Sequence, residues 1–173
     1  MQWQDIPKYT FGDNFSKKNS DEINLLINTL EDKISKKYKG IKNKLIQECL
    51  KNSIEVHKRK NRKTGGYYIK HPLEMAITGI NYNIDYISLG GILLHDVIEE
   101  IVDEKIALKK NKLSKKEKNL LKVKLRNSSL NKLSNNLFEF LKNKKITSNK
   151  NYDDTKQLIN LVSKVSRYKT EKQ

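Results

Sequence analysis

The chain has 173 residues, one domain's worth, and its apolar fraction of 36% is grouped at helical spacing rather than scattered as in a disordered chain. Two Pro and seven Gly suit an all-helical protein with few turns, and the single Cys49 excludes an internal disulfide. The net charge of +16 is extreme and uneven: residues 105–150 hold 15 Lys or Arg against Glu117 and Glu139, leaving the rest nearly neutral.

Residues 1–19 mix aromatic and polar residues without periodicity and read as an irregular N-terminal segment. Met-Gln-Trp-Gln-Asp lacks the basic start and apolar stretch of a signal peptide, and no run has the length of a membrane span. A cytoplasmic protein with no membrane partner is the expectation. From residue 20 to 173 the pattern predicts a single helical domain. Ser20 stands as an N-cap with Asp21 and Glu22 in the first turn. Ile23, Leu26, Ile27, Leu30 and Ile34 follow at spacings of three and four, and Gly40 sits where a C-cap glycine would. A second helix carries Ile41, Leu45, Ile46, Cys49, Leu50 and Ile54 on one face and ends in Lys58-Arg59-Lys60.

Asn61 to Lys70 reads as a loop around Thr64-Gly65-Gly66. Pro72 suits the first position of a third helix, which places His71 at its N-cap and extends it to about Ile80. A fourth helix is expected from Ile84 to about Ile101. Its Gly90-Gly91 pair costs about 1 kcal/mol of helix propensity per glycine, a cost that close approach of a neighbouring helix would offset. Within the basic block, Ser114 can cap one weaker helix carrying Leu120, Leu121, Val123 and Leu125, and a second carries Leu133, Leu137, Phe138 and Leu141. A last helix carries Leu158, Leu161, Val162 and Val165. The block itself has two readings: a surface for polyanions, such as RNA or the ribosome, or ordinary solvated lysines of an AT-biased genome. It lacks interleaved aromatics, which favours the second.

Chemistry concentrates in one place. Ile92-Leu93-Leu94-His95-Asp96 sets a nitrogen and an oxygen donor side by side at the end of an apolar run, and His71 arrives from a separate element 24 residues upstream. A mixed N/O set of this kind suits a divalent ion and leaves coordination positions open for water and substrate. Glu99 lies one turn after His95 and Glu100 one turn after Asp96, so both carboxylates project near the same side and can activate a water beside a cation. His57, among lysines and away from this group, reads as a structural histidine.

Arg62-Lys63-Thr64-Gly65-Gly66-Tyr67-Tyr68-Ile69-Lys70-His71-Pro72 resembles a signature of the amino-terminal hydrolase domain of RelA/SpoT-type stringent-response proteins. Gly90 to Glu100 is similar to that family's second motif, and Leu158 to Arg167 more weakly to its Val-Thr-Lys helix. The resemblance covers about 41–104 and 151–170, so the basic stretch at 105–150 looks like an insertion. It implies an all-α HD-domain bundle holding a divalent metal, with Mn²⁺ the expected ion, through His71, His95 and Asp96. It further implies Glu99 and Glu100 as catalytic carboxylates, and Arg62, Lys63 and Thr64 as contacts to the substrate. The implied reaction removes the 3′-pyrophosphate of guanosine tetra- or pentaphosphate, giving GDP or GTP and pyrophosphate. Two alternatives stand beside it: another HD-superfamily nucleotide phosphohydrolase, or a truncated relative serving as a regulatory or RNA-binding module.

Two departures matter. The family's loop acid is Gly66 here, and its further Asp ligand, in an Ala-Asp-Arg motif beyond the Val-Thr-Lys helix, has no counterpart in these residues. Asp153 and Asp154 are the nearest acids, but they precede that helix segment and are poor substitutes. Weak metal binding and slow hydrolysis are therefore expected.

Overall fold

In a computed structural model, residues 17–58, 67–109, 113–145 and 148–166 are described. The helical periodicity becomes α1 (Lys17–Lys37), α2 (Gly40–His57), α3 (Lys70–Asn81), α4 (Tyr86–Leu94), α5 (Val97–Ala107), α6 (Lys115–Asn143) and α7 (Asn149–Val165). No β-sheet occurs among the described residues, so the all-α expectation holds. No described helix is long and apolar enough to cross a membrane. Most of the N-terminal segment expected to be irregular lies outside the described residues, but 17–19 already belong to α1.

α4 is the axis. Its sequence, Tyr-Ile-Ser-Leu-Gly-Gly-Ile-Leu-Leu, is apolar nearly all round, as a helix surrounded by others must be. Asp85 caps it by accepting hydrogen bonds from the Ile87 and Ser88 amides at 2.8 and 3.0 Å. α2, α3 and α7 pack against it. Their register is readable from side chains. The Lys42 ammonium sits 5.1 Å from the centre of the Tyr86 ring, and the Tyr86 hydroxyl donates to Asp154. One turn further on, a methyl built at Gly90 would lie 3.0 Å from Leu158 and 3.3 Å from Cys49. At Gly91 it would lie 2.6 Å from Leu161. Glycines thus bring the three helices together, and α2, α4 and α7 run parallel.

Around this centre, α1 lines its buried Ile23, Ile27, Leu30 and Ile34 against the core and packs on α3. α6 runs antiparallel to α7. Phe138 stacks on Tyr152 at one end, and at the other Arg126 donates to the Ser163 carbonyl and hydroxyl.

Four local expectations change. α1 starts before Ser20, so Ser20 is not its N-cap. Gly40 opens α2 rather than capping α1; its φ of +58° lies where a side chain would be strained, so the turn between the helices needs glycine. Pro72 is the third residue of α3, leaving His71 inside the first turn instead of at the cap. The two weak helices of the basic block are one helix of 29 residues. A capping box starts it, with the Ser114 hydroxyl accepting from the Glu117 amide while the Glu117 carboxylate accepts from the Ser114 amide. Arg126 and Ser129 continue its buried face across the polar Asn127-Ser128 stretch to Leu130, Leu133, Leu137 and Leu141.

The glycine contacts generate a test. Leu158 and Cys49 are fully buried and cannot retreat from Gly90, whereas Leu161 is half-buried and can swing outward from Gly91. Gly90→Val should destabilise the fold by about 1–3 kcal/mol through overpacking. Gly91→Ala should change stability by less than about 1 kcal/mol, because gained helix propensity offsets the small shift of Leu161. Chemical denaturation of both variants checks the difference.

Candidate metal centre

The fourth helix expected to run from Ile84 to about Ile101 is interrupted at His95-Asp96, between α4 and α5. The cause is local. The Nδ1 of His95 lies 2.7 Å from the Ile92 carbonyl, the acceptor that the Asp96 amide would use in an unbroken helix. Because a carbonyl only accepts, Nδ1 must carry the hydrogen. The imidazole side chain replaces one rung of the backbone ladder, and the helix breaks there. The same bond leaves Nε2 as the nitrogen available to a metal. A ring nitrogen that donates to a backbone carbonyl while its partner coordinates is the usual second contact of a metal-binding histidine.

Nε2 of His95 faces Asp96, 3.0 Å from Oδ2. His71 enters from the first turn of α3, which is anchored by the buried Ile69, Pro72 and Leu73. Its ring meets that of His95 edge-on at 5.4 Å between centroids. One donor atom from each of His71, His95 and Asp96 falls within 4.8 Å of the others, and all three residues are half-buried. Donor atoms of one ion at about 2.0–2.2 Å lie within about 4 Å of each other, so small side-chain movements close this set on a cation.

Electrostatics agree with the geometry. For His95 burial works against protonation. The bond to Asp96, the Ile92 carbonyl and the charges of Asp96 and Glu99 outweigh it and raise its pKa above the ordinary 6.5. For Asp96 burial pushes upward, but the bond from His95 and the positive charge of His95, His71 and His57 hold its carboxyl below the ordinary 3.8. Both shifts favour the ion-paired form of His95 and Asp96 when no metal is bound.

Glu99 and Glu100 occupy the first turn of α5 and are only 3% and 8% exposed, not a solvated helix end. The positive end of the α5 dipole favours carboxylates there. Asp153 pairs with Lys156 at 3.7 Å, and Asp154 is engaged by Tyr86 at the opposite end of α4. Neither belongs to the His71, His95 and Asp96 cluster. Arg62, Lys63 and Thr64, expected to contact substrate, lie outside the described residues. The lysines of α6, among them Lys115, Lys116, Lys118 and Lys124, are exposed while its apolar side is buried.

His57 proves to be fully buried, its Nδ1 2.7 Å from the Ser53 carbonyl, its ring stacked with Tyr68 at 6.2 Å. This agrees with the structural histidine expected there, and the spacing shows why: Ile46, Cys49, Leu50, Ser53, Ile54 and His57 form one buried stripe on α2.

Comparison with known proteins gives a partial likeness. A probable guanosine-3′,5′-bis(diphosphate) 3′-pyrophosphohydrolase of Mycoplasma genitalium is 31% identical over 68 residues, 39% of this chain. The matched segment is 9% of that relative, so the chain corresponds to a small part of its length. No family model matches the chain, and no solved structure matches it. The likeness supports a distant relationship to RelA/SpoT-type hydrolases.

The pair's titration gives a testable sign. His95 has a raised pKa, so its contribution to stability is complete below 6.5 and disappears as pH rises through the folded value. Asp96 has a lowered one, so its contribution is complete above 3.8 and disappears as pH falls through the folded value. The metal-free protein should therefore draw the full benefit of the pair between these limits. Metal must displace the His95 proton, so Mn²⁺ affinity should rise by up to about tenfold per pH unit while His95 is protonated and then level off. Calorimetric titrations with Mn²⁺ at a series of pH values check this.

Proposed function

We propose that the chain is a metal-dependent phosphohydrolase domain acting on a 3′-pyrophosphorylated guanosine nucleotide. The observation that carries the reading is the convergence of His71, His95 and Asp96 from two separate helical segments onto one point. Partial similarity to a protein described as a probable 3′-pyrophosphohydrolase supports the choice of substrate.

His71, His95 and Asp96 would hold the ion, with Mn²⁺ as the proposed metal. A divalent cation there supplies Lewis acidity toward a phosphoryl oxygen and toward water. The chain's own residues do the rest. The Ile92 carbonyl keeps the His95 ring in its coordinating tautomer. Glu99 and Glu100, buried beside the centre, orient the attacking water and take its proton, a role that their shielding from solvent favours. The water oxygen bonds to the phosphorus attached at the 3′ oxygen, the P–O3′ bond breaks, and the 3′ oxygen leaves protonated. Pyrophosphate and GDP or GTP result. Arg62, Lys63 and Thr64 are proposed to hold the nucleotide, a stacked guanidinium on the base and a lysine on phosphate.

The test is product analysis with the purified chain and Mn²⁺, offered guanosine tetraphosphate or ordinary dNTPs. Pyrophosphate and GDP should form from the first and little from the second. His95→Ala should abolish both turnover and Mn²⁺ binding, and Glu99→Gln should lower turnover about 10²–10⁴-fold with Mn²⁺ binding retained. Equal turnover of dNTPs would redirect the reading to a general nucleotide phosphohydrolase.

A further inference from the structure

The basic block takes a definite place in the fold. Residues 108–114 are all that separate α5 from α6, and the two helices pack side by side, so they form an antiparallel hairpin. Lys122 of α6 approaches Asp103 of α5 at 3.9 Å, which fixes their register. Asp103 lies seven residues after Asp96, about 10 Å along α5 at the helical rise. Lys118, one turn before Lys122, then stands about 16 Å beyond Asp96, and Lys115 and Lys116 about 20 Å. On the other side of Lys122, Arg126 is tied to Ser163 near the C-terminal end of α7. The hairpin thus projects from the end of the bundle that carries the donors, and its first arm starts at one of them.

This projection carries charge that the fold does not neutralise. Lys105, Lys109, Lys115, Lys116, Lys118 and Lys124 are exposed, and none makes an ion pair with another described residue. The acids beside them are already engaged: Asp103 by Lys122, Glu117 by the amide and hydroxyl of Ser114, and Glu104 by other partners. Genomic bias raises lysine wherever it falls, and α1 shows the result elsewhere. There Asp21, Glu22, Glu31 and Asp32 balance the lysines, and Lys36 pairs with Asp32 at 2.6 Å. From Lys115 to Arg126, by contrast, five lysines and an arginine face Glu117 alone. A solvated surface accounts for many lysines, but not for this separation of the signs. Clustered like charges repel one another and oppose compaction, so the fold gains nothing from them.

From this arrangement we infer that the unpaired lysines of the projection, chiefly Lys115, Lys116 and Lys118, collect a polyphosphorylated nucleotide and draw it toward His71, His95 and Asp96. The inference deepens the proposed function and rests on it. A nucleotide phosphorylated on both its 5′ and 3′ oxygens carries several negative charges, and each lysine acts on all of them. At these separations the attraction runs through solvent. It is weak for each pair, adds over several charges, and is screened over about 30 Å at about 0.01 M salt but over only about 3 Å at about 1 M. No fixed contact is needed, in keeping with the exposed positions of the lysines. A flexible point charge serves such attraction without the defined geometry that arginine imposes.

The test removes equal charge from the two ends of α6. One variant of the full chain combines Lys115→Gln, Lys116→Gln and Lys118→Gln. The other combines Lys142→Gln, Lys144→Gln and Lys145→Gln, all exposed at the far end of the helix. Binding of guanosine tetraphosphate in the presence of Mn²⁺ is measured calorimetrically, in a Glu99→Gln background that holds turnover down. At about 0.01 M salt the first variant should bind about tenfold more weakly than its parent, and the second less than about threefold. At about 1 M salt all three should agree within about twofold. Equal losses in the two variants, or a loss that persists at high salt, overturn the inference. So does unchanged nucleotide affinity in the first variant together with lost retention of poly(U) RNA, which would assign the lysines to RNA.

The site and its collector can fail separately. If His71→Ala binds the nucleotide with Mn²⁺ as well as the parent does, the proposed site is wrong and the inference falls with it. If His71→Ala abolishes binding while the Lys115, Lys116 and Lys118 variant keeps parental affinity at low salt, the site stands and the inference alone is overturned. Should Glu99→Gln spoil binding by itself, turnover in the otherwise unsubstituted chain gives the answer. The low-salt loss should then fall on KM, with kcat kept within about twofold, because attraction at a distance acts on capture and not on the chemical step. A loss confined to kcat overturns the inference.

Discussion

Close contact at Gly90 and Gly91 is the constraint on which the rest of the molecule depends. No side chain separates α4 from Cys49 of α2 or from Leu158 and Leu161 of α7, so the three helices lock at one height. One turn beyond this contact α4 breaks at His95-Asp96. A bulkier residue at position 90 would push the neighbours away and slide their ends relative to the donors. The helix propensity sacrificed by two glycines is the cost of a fixed register. What the register holds in place is the candidate centre.

The interruption of the helix and the presentation of a donor are one event. His95 takes the Ile92 carbonyl with Nδ1, which ends α4 and at the same time points Nε2 toward Asp96. Asp96 in turn opens α5 and carries Glu99 and Glu100 into its first turn, buried rather than solvated. The backbone stays helical through both residues, and it is their side chains that close to 3.0 Å between Nε2 and Oδ2.

These relations explain what could be read from the residues and what could not. His71, His95 and Asp96 were legible because each sits in a short motif, and the all-helical class because apolar spacing persists along the chain. The break at His95 was hidden: both residues keep right-handed helical torsions, and only a side-chain hydrogen bond distinguishes this turn from a continuing helix. The unity of α6 was hidden as well, because Arg126 and Ser129 carry its buried face through a polar stretch that contains few apolar residues. His57 reads as a structural histidine, and its burial on the Cys49–Ser53 stripe agrees with that. Composition around a residue says less than its phase in the helix.

Helix ends also shape the field in which the donors sit. α4 finishes at the candidate centre. α7, one turn beyond its contact of Leu161 with Gly91, finishes there too. Their C-terminal carbonyls turn negative potential toward it, which favours a cation held by only one carboxylate and two neutral rings. α3 and α5 begin there and turn positive potential the same way, and each begins with residues that use it: His71 on α3, and Asp96, Glu99 and Glu100 on α5. The positive ends favour the anionic groups that α5 carries and would favour a phosphate approaching the cation. α6 adds to this asymmetry. Because it runs antiparallel to α7, with Arg126 at the Ser163 end, its N-terminal Lys115, Lys116 and Lys118 extend beyond the end of the bundle where the donors lie. The charge that composition shows as a single excess is therefore distributed by the fold, with the α6 lysines exposed outside the three donors.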